Sequence, residues 1–314
     1  MRLTSLILAA GKGTRMRSDT RPKVMFPVAG YPMIGWVIEA VSSFGTPHLV
    51  VGYLHEQVEE FVRRHYPEAR FSYQKEQDGT GGAVRCALAD VTPDSDSFLI
   101  VPGDAPLLKR ETIKRLIETF ERERAGVAIV TCTPENPASY GRIKRVEGRI
   151  VGIVEYNDAT PEERAIREVN SGLYVVSRKT LEEALPHLTN ANAKNEYYLT
   201  DIVSYAVCHG IKTVSVFEED FASLVGVNSP EELADAERMM QTRLRSVLTE
   251  AGVQLLSPDT LFVEHDVVVG RGTIIHPFVR LCAGSRIGEN CIIGPHVEVK
   301  GIFPDGAVVR SSSE

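Results

Sequence analysis

The first residues whose types and spacing can support chemistry form a glycine-rich loop near the N-terminus. The segment Leu8-Ala9-Ala10-Gly11-Lys12-Gly13-Thr14-Arg15 follows a short apolar run. Glycine has no Cβ, so backbone N–H groups in such a loop can approach a phosphate closely. The spacing is neither that of a Walker A loop nor GxGxxG, because Met16 stands at the third glycine position. Arg15 and Lys23 add positive charge, which suits a phosphate site, although these residues alone allow a flexible surface loop with ordinary basic residues equally well.

A carboxylate and an amide are the next candidates. Asp104 follows Pro102-Gly103 at the end of an apolar run, the position at which open α/β sheets bind ligands. A carboxylate there suits Mg²⁺ bridged to a nucleotide phosphate, and Asn228 offers a second, neutral oxygen ligand. The alternatives are a turn aspartate that caps the next helix and an asparagine that caps the helix starting near Pro230.

The third candidate is the segment Gln74-Lys75-Glu76-Gln77-Asp78-Gly79-Thr80-Gly81-Gly82-Ala83. A glutamine amide offers a donor and an acceptor side by side, which can read the edge of a pyrimidine. Taken in isolation, the segment favours the alternative, a glycine-rich turn between a strand and a helix.

Alternating elements must position these groups. Up to about residue 225, short β-branched runs alternate with helical patterns, which predicts an α/β sheet. The predicted strands are Leu3–Ala9, His48–Gly52, Phe98–Val101, Val127–Thr133, Arg142–Val146, Ile150–Glu155, Val169–Val176 and Lys212–Phe217. The predicted helices are Pro32–Ser43, Glu56–Tyr66, Glu111–Arg124 and the connector Pro230–Leu248.

The spacing of apolar residues changes after the predicted connecting helix. Apolar residues recur every sixth position at Val263, Val269, Ile275, Leu281, Ile287, Ile293 and Val299. A second set of mostly small or apolar residues follows each of them by four positions: Val267, Thr273, Val279, Ser285, Cys291, Val297 and Phe303. This hexapeptide repeat predicts a triangular parallel β-helix of little more than two coils, with one short strand per hexad. A β-meander with accidental spacing is the alternative.

Composition limits the function classes. The chain of 314 residues has 35 Lys and Arg against 42 Asp and Glu, for a net charge of −7. This acidity disfavours nucleic-acid coating and binding to anionic membranes. Five scattered cysteines without a CxxC motif favour a reduced protein over a disulfide framework. We expect no targeting segment and no membrane helix, since no uncharged apolar run approaches the ~20 residues that one needs, and hence a cytoplasmic protein.

Taken together, the motifs identify a family. The chain resembles the sugar-nucleotidyltransferase superfamily, and most closely the uridyltransferase half of the bifunctional GlmU family. The matching segments, in the family's order, are LILAAGKGTRM, PKVMFPVAGYPM, QKEQDGTGGA, PGDAPLL, YGRIKR, GIVEYNDAT, EVNSGLYV, NEYYLTDIV and VGVNSPEELADAE. The resemblance implies a Rossmann-like, GT-A-like mixed sheet over residues 1–228, a connecting helix over 229–251 and a short left-handed parallel β-helix over 252–314.

The resemblance also implies roles for the matching residues. It implies transfer of a nucleotide from UTP to N-acetylglucosamine-1-phosphate, giving UDP-N-acetylglucosamine and pyrophosphate, with Mg²⁺ as cofactor. The implied catalytic residues are Arg15, Lys23 and Asp104, with Asp104 and Asn228 as metal ligands. The implied nucleotide-binding residues are Leu8, Ala9, Ala10, Gly11, Gly13, Gln74, Gly79 and Thr80. The implied sugar-binding residues are Gly141, Glu155, Asn170, Tyr197 and Thr200.

Four departures from the family pattern bear on selectivity. The stretch between Ser18 and Lys23 is one residue longer than the family's usual spacing. Phe26 stands where a histidine is usual, Gly82 where a histidine often precedes the alanine, and Pro102 where the family can have a tyrosine. None of them removes a proposed charge or metal ligand.

Three other functions remain open at this stage. The first is the same chemistry on another sugar phosphate or base, such as glucose-1-phosphate or dTTP, and the second is a non-catalytic paralogue that binds UDP-sugars. The third is an acyltransferase in the tail, for which His265, His276 and His296 are the available bases. The tail is much shorter than the family's second domain, so we expect no acetyl transfer and instead a role in assembly, as a homotrimer through the β-helix.

Overall fold

The computed structural model describes residues 1–91, 94–137 and 139–310, and their contacts divide the chain into two units. The first, here called the sheet unit, comprises Met1–Met25 and Met33–Asn228. The second, the repeat unit, comprises Phe26–Pro32 and the chain from Ser229 onward. The contacts thus group the segment 26–32 and the connecting helix with the repeats.

The elements are numbered in chain order. The α-helices are α1 (Met33–Val41), α2 (His55–His65), α3 (Thr80–Asp90), α4 (Arg110–Glu123), α5 (Pro161–Arg164), α6 (Arg178–Ala184), α7 (Asp201–Cys208) and α8 (Pro230–Glu250). The strands before α8 are β1 (Leu3–Ala9), β2 (Pro27–Val28), β3 (Tyr31–Pro32), β4 (Thr46–Val51), β5 (Arg70–Tyr73), β6 (Ser97–Pro102), β7 (Val127–Cys132), β8 (Arg142–Val146), β9 (Arg149–Val154), β10 (Val169–Ser177) and β11 (Thr213–Phe217). The strands after α8 are β12 (Gln254–Leu255), β13 (Phe262–Val263), β14 (Val268–Val269), β15 (Ile274–Ile275), β16 (Val279–Leu281), β17 (Arg286–Ile287), β18 (Ile292–Ile293), β19 (Val297–Val299), β20 (Ile302–Phe303) and β21 (Val308–Val309).

The sheet unit is built on one mixed sheet with the order β11-β7-β10-β6-β1-β4-β5. Strands β6, β1, β4 and β5 are parallel, and β11 is parallel to β7. Strand β10 runs antiparallel to both of its main neighbours, β6 and β7. The hairpin β8–β9 joins the sheet through β10. The expected mixed α/β sheet is therefore confirmed.

Apolar side chains on both faces of the strands explain why helices cover the sheet on two sides. Ile7 on β1 and Leu49 on β4 pack with α1, α2 and α4 in one buried cluster. Leu6 on β1 and Val50 on β4 pack with α3, α6 and α7 in the other. Strands buried on both faces carry continuous apolar runs, which is the pattern that predicted them.

The predicted elements agree with the structure to within two residues. Helix α1 begins at Met33, one residue later than predicted, because Tyr31–Pro32 forms the short strand β3, which pairs with β2. Strands β8 and β9 form a hairpin that turns at Glu147-Gly148, where both residues adopt positive φ. Strand β5 and helices α6 and α7 were not predicted from the sequence pattern.

The parallel strands bring chemistry-bearing residues to one edge of the sheet. Leu8 on β1 lies opposite Pro102 on β6, so the loop after β1 and the Gly103-Asp104 turn leave the sheet side by side. Because β10 is antiparallel to β6, its first residues, Val169 and Asn170, lie toward this same edge.

The repeat unit has the predicted sixfold period. The strands β12–β21 form three parallel sheets, and each strand pairs with the strand three places along the chain. All seven leading apolar residues are at most 5% exposed: Val263, Val269, Ile275, Leu281, Ile287, Ile293 and Val299. The coils begin earlier, at β12, and end later, at β21, than the seven hexads indicated, so the expected two coils were too few. The handedness remains a prediction.

Two further findings concern the whole of the described chain. Among the helices in the described ranges, none has the length and apolarity to cross a membrane. All five cysteines are free thiols, three of them buried.

Candidate active site

A cavity of ≈ 550 Å³ opens at the carboxyl edge of the parallel strands, within the sheet unit. It is lined by the loop after β1, by Lys23 and Val24, by the start of α3, by Asp104, and by residues from the β9–β10 region and the segment before α7. The predicted residues among the lining are Leu8, Ala9, Ala10, Gly11, Gly13, Lys23, Gln74, Gly79, Thr80, Asp104, Glu155, Asn170 and Thr200. The structure thus brings together residues that are far apart in sequence.

Two glycines shape the loop after β1 for different reasons. Gly13 has φ 62°, and a Cβ there would lie 2.7 Å from Cβ of Lys23. Glycine at this position therefore lets the loop pass directly over Lys23. A Cβ on Gly11 would meet nothing within 4 Å, so packing inside the protein does not require this glycine. Its open side lines the cavity, where a ligand can approach the backbone.

Lys23, Asp104 and Asn228 form one cluster at the end of this loop. The Lys23 ammonium donates to Asp104 Oδ2 and, at 3.0 Å, to Asn228 Oδ1. The Asn228 amide is oriented by Nδ2, which donates to the Gly226 carbonyl at 2.9 Å. The Lys23 and Asp104 side chains are only 15% and 14% exposed, so the pair lies in a partly desolvated place. Two oxygens converge on one cation position.

The other cations lie nearer to solvent. Lys12 lines the cavity, and its ammonium lies 5.5 Å from the centroid of the Tyr53 ring. Arg15 is exposed on a short 3₁₀ helix, Thr14–Met16, and is not among the residues that line the cavity. Lys12 was not predicted from the sequence, although its place between two loop glycines was a usable signal.

Gln74 lies at the end of β5 and is 7% exposed. Its Nε2 donates to Asp78 Oδ1 at 2.8 Å and to the Gly79 carbonyl at 2.9 Å. Thr80 begins α3, and its hydroxyl accepts from the backbone N–H of Leu199 at 3.1 Å. These bonds hold the start of α3 and the segment before α7 together at the cavity wall.

A second set of polar side chains, without positive charge, lines the cavity near the end of β9 and the start of β10. Thr200 Oγ1 donates to Glu155 Oε1 at 3.1 Å. Asn170 Oδ1 accepts from the Gly172 N–H at 3.1 Å, which leaves the amide nitrogen as a donor. A Cβ on Gly141 would lie 3.3 Å from Glu155 Oε1, so this glycine gives the carboxylate room. Burial is the main cause that raises the pKa of Glu155, although the Thr200 hydrogen bond opposes it.

Tyr197 does not line the cavity, although its sequence neighbour Glu196 does. Its backbone accepts from Gly81 N–H and donates to the Asp78 carbonyl, both at 2.7 Å. Its ring stacks under the Arg85 guanidinium, 4.4 Å from the centroid. The residues of this segment that line the cavity are Glu196, Leu199 and Thr200. Tyr197 therefore supports the first turn of α3.

Tyr174 is a cavity residue that the sequence pattern did not single out. Its side chain is 2% exposed and lines the cavity, yet its hydroxyl has no hydrogen-bond partner of good geometry among the described residues. Burial raises the pKa of Tyr174 far above its usual value and the Glu155 charge adds to this effect, whereas the nearby Asn170 side chain opposes it. A hydroxyl within an otherwise apolar strand run was the available signal.

The oxygen donors fit a hard cation. Among the described residues, no group of three or more His, Cys, Asp or Glu side chains is arranged around a common point. One carboxylate and one amide oxygen match the sites that bind Mg²⁺ with few protein ligands and leave the remaining positions to water and substrate phosphates. The donor set of Asp104 and Asn228 therefore suits a metal shared with a phosphorylated ligand.

The Tyr174→Phe variant tests the unpartnered hydroxyl. A buried polar group without a partner costs free energy, so its removal should raise the free energy of unfolding of the ligand-free protein by on the order of 1 kcal/mol. Urea denaturation at neutral pH measures this change. A loss of stability would show that the hydroxyl has a partner in the folded protein.

The Glu155→Gln variant tests the partly buried carboxylate of Glu155. The pKa of Glu155 is raised in the folded protein, so ionisation of this group disfavours folding at neutral pH but not below the unfolded pKa. Glutamine carries no such cost and should raise the melting temperature at pH 7 to 8, with a gain that shrinks as the pH falls toward 4. A gain that is equal at all pH values, or a loss, would contradict the assignment.

Comparison with known proteins assigns both parts of the chain. Residues 5–201 match the family model of the MobA-like NTP transferase domain. Residues 266–301 match the bacterial transferase hexapeptide model of six repeats.

Curated relatives match over most of the chain. The "Bifunctional protein GlmU" of Geobacter metallireducens is 41% identical over 95% of this chain and 63% of its own length. The proteins of the same name from Geotalea uraniireducens and Fervidobacterium nodosum are 38% and 41% identical, over 99% and 98% of this chain. The chain spans 63 to 68% of the length of these relatives.

Solved structures share the fold. An inositol-1-phosphate CTP transferase from T. maritima superposes with a TM-score of 0.59 over 76% of this chain and 94% of its own, at 18% identity. A putative glucose-1-phosphate thymidylyltransferase from Bacillus anthracis gives the same values. The chain belongs to the MobA-like NTP transferase family, and within it to the group of GlmU-related proteins.

Proposed function

We propose that this protein joins UTP to N-acetylglucosamine-1-phosphate, giving UDP-N-acetylglucosamine and pyrophosphate. The observation that carries the proposal is the cavity of ≈ 550 Å³, which is lined by a cationic loop, the Asp104 carboxylate and a group of hydrogen-bonding side chains. Asn228 shares the Lys23 ammonium with Asp104. The relatives with 38 to 41% identity are each named bifunctional protein GlmU, which supports the family resemblance from which this substrate pair is expected. Five free thiols are consistent with a reducing compartment, and we place the reaction in the cytoplasm.

The nucleotide would bind along the loop after β1 and the start of α3. The open side of Gly11 allows backbone N–H groups near the phosphates, and Lys12, Arg15 and Lys23 supply local positive charge in a chain whose net charge is negative. Leu8, Ala9, Ala10 and Gly13 shape this wall. The Gln74 side chain and the backbone at Gly79 and Thr80 would contact the base.

The sugar would bind against the side chains of β9 and β10. Glu155 offers an acceptor for sugar hydroxyls, and the Asn170 amide nitrogen offers a donor. Thr200 holds Glu155, Gly141 leaves room for it, and Tyr197 supports the adjoining turn. The hydroxyl of Tyr174 is a further group that a polar substrate can satisfy.

The reaction needs positioning and charge neutralisation more than proton transfer. A phosphate oxygen of the sugar-1-phosphate attacks the α-phosphorus in line, its bond to phosphorus forms, and the bond to pyrophosphate breaks. This nucleophile is already ionised at neutral pH, so no general base is required. The barrier is the approach of two anions, which fixed cations and oriented donors lower. Lys23 and Arg15 would stabilise the departing pyrophosphate.

We assign Mg²⁺ to Asp104 and Asn228. The oxygens of both side chains converge on the Lys23 ammonium, which supports this assignment because the same two oxygens already bind one cation. When bound, the ion would withdraw charge from the phosphates at the reacting centre. Lys23 would then turn from its two oxygen partners toward the phosphates of the nucleotide.

The Asp104→Ala variant tests this assignment. Loss of one charge-stabilising partner should lower turnover by about 10²–10³-fold, by analogy with lost oxyanion donors. Pyrophosphate release from UTP and N-acetylglucosamine-1-phosphate with Mg²⁺ measures the change. The matched control is Asp220→Asn, which removes an exposed carboxylate that pairs with Lys109 outside the cavity.

Three results would overturn the proposal in different ways. Near-wild-type turnover of the folded Asp104→Ala variant would exclude the metal and catalytic roles of this residue. Faster turnover of the wild-type protein with glucose-1-phosphate or dTTP would replace the substrate pair but keep the chemistry. Binding of UDP-sugars without any pyrophosphate release would indicate a non-catalytic protein.

We propose a homotrimer that assembles through the repeat unit. An outward column of Ile274, Ile292 and Val308 runs in register along one of its sheets, and Val308 is 56% exposed. Apolar ladders of this kind favour burial against another chain. Sedimentation equilibrium should give a trimer for the wild type and smaller species for Ile292→Glu, whereas a wild-type monomer would contradict the assembly.

A further inference from the structure

Asp78 contacts the candidate base-binding residue. The side chain of Gln74 lines the cavity and is 7% exposed, and its Nε2 donates to Asp78 Oδ1 at 2.8 Å. The same nitrogen donates to the Gly79 carbonyl at 2.9 Å. Asp78 itself does not line the cavity, so it acts on a ligand only through Gln74.

These two bonds fix which end of the Gln74 amide faces outward. A carboxylate oxygen and a peptide carbonyl can only accept hydrogen bonds, so the NH₂ group must face both of them. A flipped amide would place Oε1 against two other oxygens, one of them charged. Within the described chain no group donates to Oε1, which remains available as an acceptor.

The position of the Asp78 carboxylate depends on glycine at residue 82. A Cβ on Gly82 would lie 1.8 Å from Asp78 Oδ1 and 2.5 Å from its Cγ. Any larger residue therefore displaces the carboxylate from the first turn of α3. Asp78 and Gly82 form one structural unit, which gives a physical reason for the glycine at a position where the family often has histidine.

We propose that Asp78, in the space left by Gly82, is a positioning residue that turns the Gln74 carbonyl oxygen toward the base and so selects a pyrimidine with a donor at N3. This inference rests on the proposed nucleotide-binding function of the cavity. Uracil carries N3–H, which donates to Gln74 Oε1. Cytosine has an acceptor at N3, so the same oxygen repels it.

The proposed Gln74 contact distinguishes uracil from cytosine but not from thymine. Thymine also carries N3–H, so this contact does not distinguish UTP from dTTP. A binding site discriminates strongly against a base that places an acceptor opposite an acceptor of the protein, because neither atom then has a hydrogen bond. The preference for UTP over CTP should therefore depend on Asp78, whereas the preference for UTP over dTTP should not.

The test uses Asp78→Ala and Gly82→Ala in the full chain. Equilibrium binding of UTP, CTP and dTTP, together with pyrophosphate release at saturating sugar phosphate, gives affinity separately from turnover. We expect each variant to lower the UTP-over-CTP preference about tenfold, since it removes the hydrogen bond to a charged group and leaves only the bond to the Gly79 carbonyl to hold the amide. The UTP-over-dTTP preference should stay within about twofold of the wild type. Gly82→Ala should not lose helix stability, because alanine favours a helix over glycine.

Two further variants separate positioning from general effects. Asp78→Asn retains an oxygen acceptor for Gln74 and should restore most of the UTP preference. Glu76→Ala removes an exposed carboxylate of the same loop and should leave all three affinities unchanged. An unchanged UTP-over-CTP ratio in both alanine variants, or an equal loss for all three nucleotides, would overturn the inference. A changed binding ratio without any turnover in the wild type would instead support the inference and contradict the proposed reaction, and a wild type that binds no nucleotide would contradict both.

Discussion

The parallel pairing of β1 with both β4 and β6 is the constraint on which the candidate site depends. It makes the loop after β1 and the Asp104 turn leave the sheet next to each other. Antiparallel β10, inserted beside β6, brings Asn170 toward the same edge from the opposite chain direction. A different strand order would separate the cationic loop from its oxygen ligands and from the amide side chains opposite.

The loop after β1 differs in the sign of its charge from the chain as a whole. The chain is acidic as a whole, with a net charge of −7, yet the loop after β1 and Lys23 concentrate positive charge at the cavity. Lys23 is held by Asp104 and Asn228 in a partly buried place, where charges interact more strongly than in water. The partly buried Glu155 and the Tyr174 hydroxyl, which has no hydrogen bond of good geometry among the described residues, are polar groups in the cavity wall whose desolvation is not fully compensated within the protein. Such groups are typical of binding sites, where a ligand completes the hydrogen bonds.

The packing of the repeat unit follows directly from its sixfold sequence period. Each hexad directs one apolar side chain inward, and the small buried residues between them, such as Ser285 and Cys291, allow a tight corner. The buried hydroxyls are satisfied, as Thr273 donates to the Gly288 carbonyl and Ser285 to the Val299 carbonyl. Because every strand pairs in parallel with the strand three places along, the periodicity of the sequence sets the register directly.

The sequence by itself determined the features that depend on local pattern. Apolar runs predicted the strands, the sixfold period predicted the coils, and glycine-rich and acidic motifs identified the loop after β1 and Asp104. Only the tertiary structure decided how distant groups meet. Hydrogen bonds join Lys23 to Asp104 and Asn228, and the contacts group segment 26–32 with the repeats, although no periodicity of the sequence connects these residues. The absence of a well-formed hydrogen bond at the Tyr174 hydroxyl is likewise visible only in the folded chain. The Asp78 contact is only four residues from Gln74, yet its meaning depends on the space at Gly82, which is a property of backbone packing and not of residue spacing.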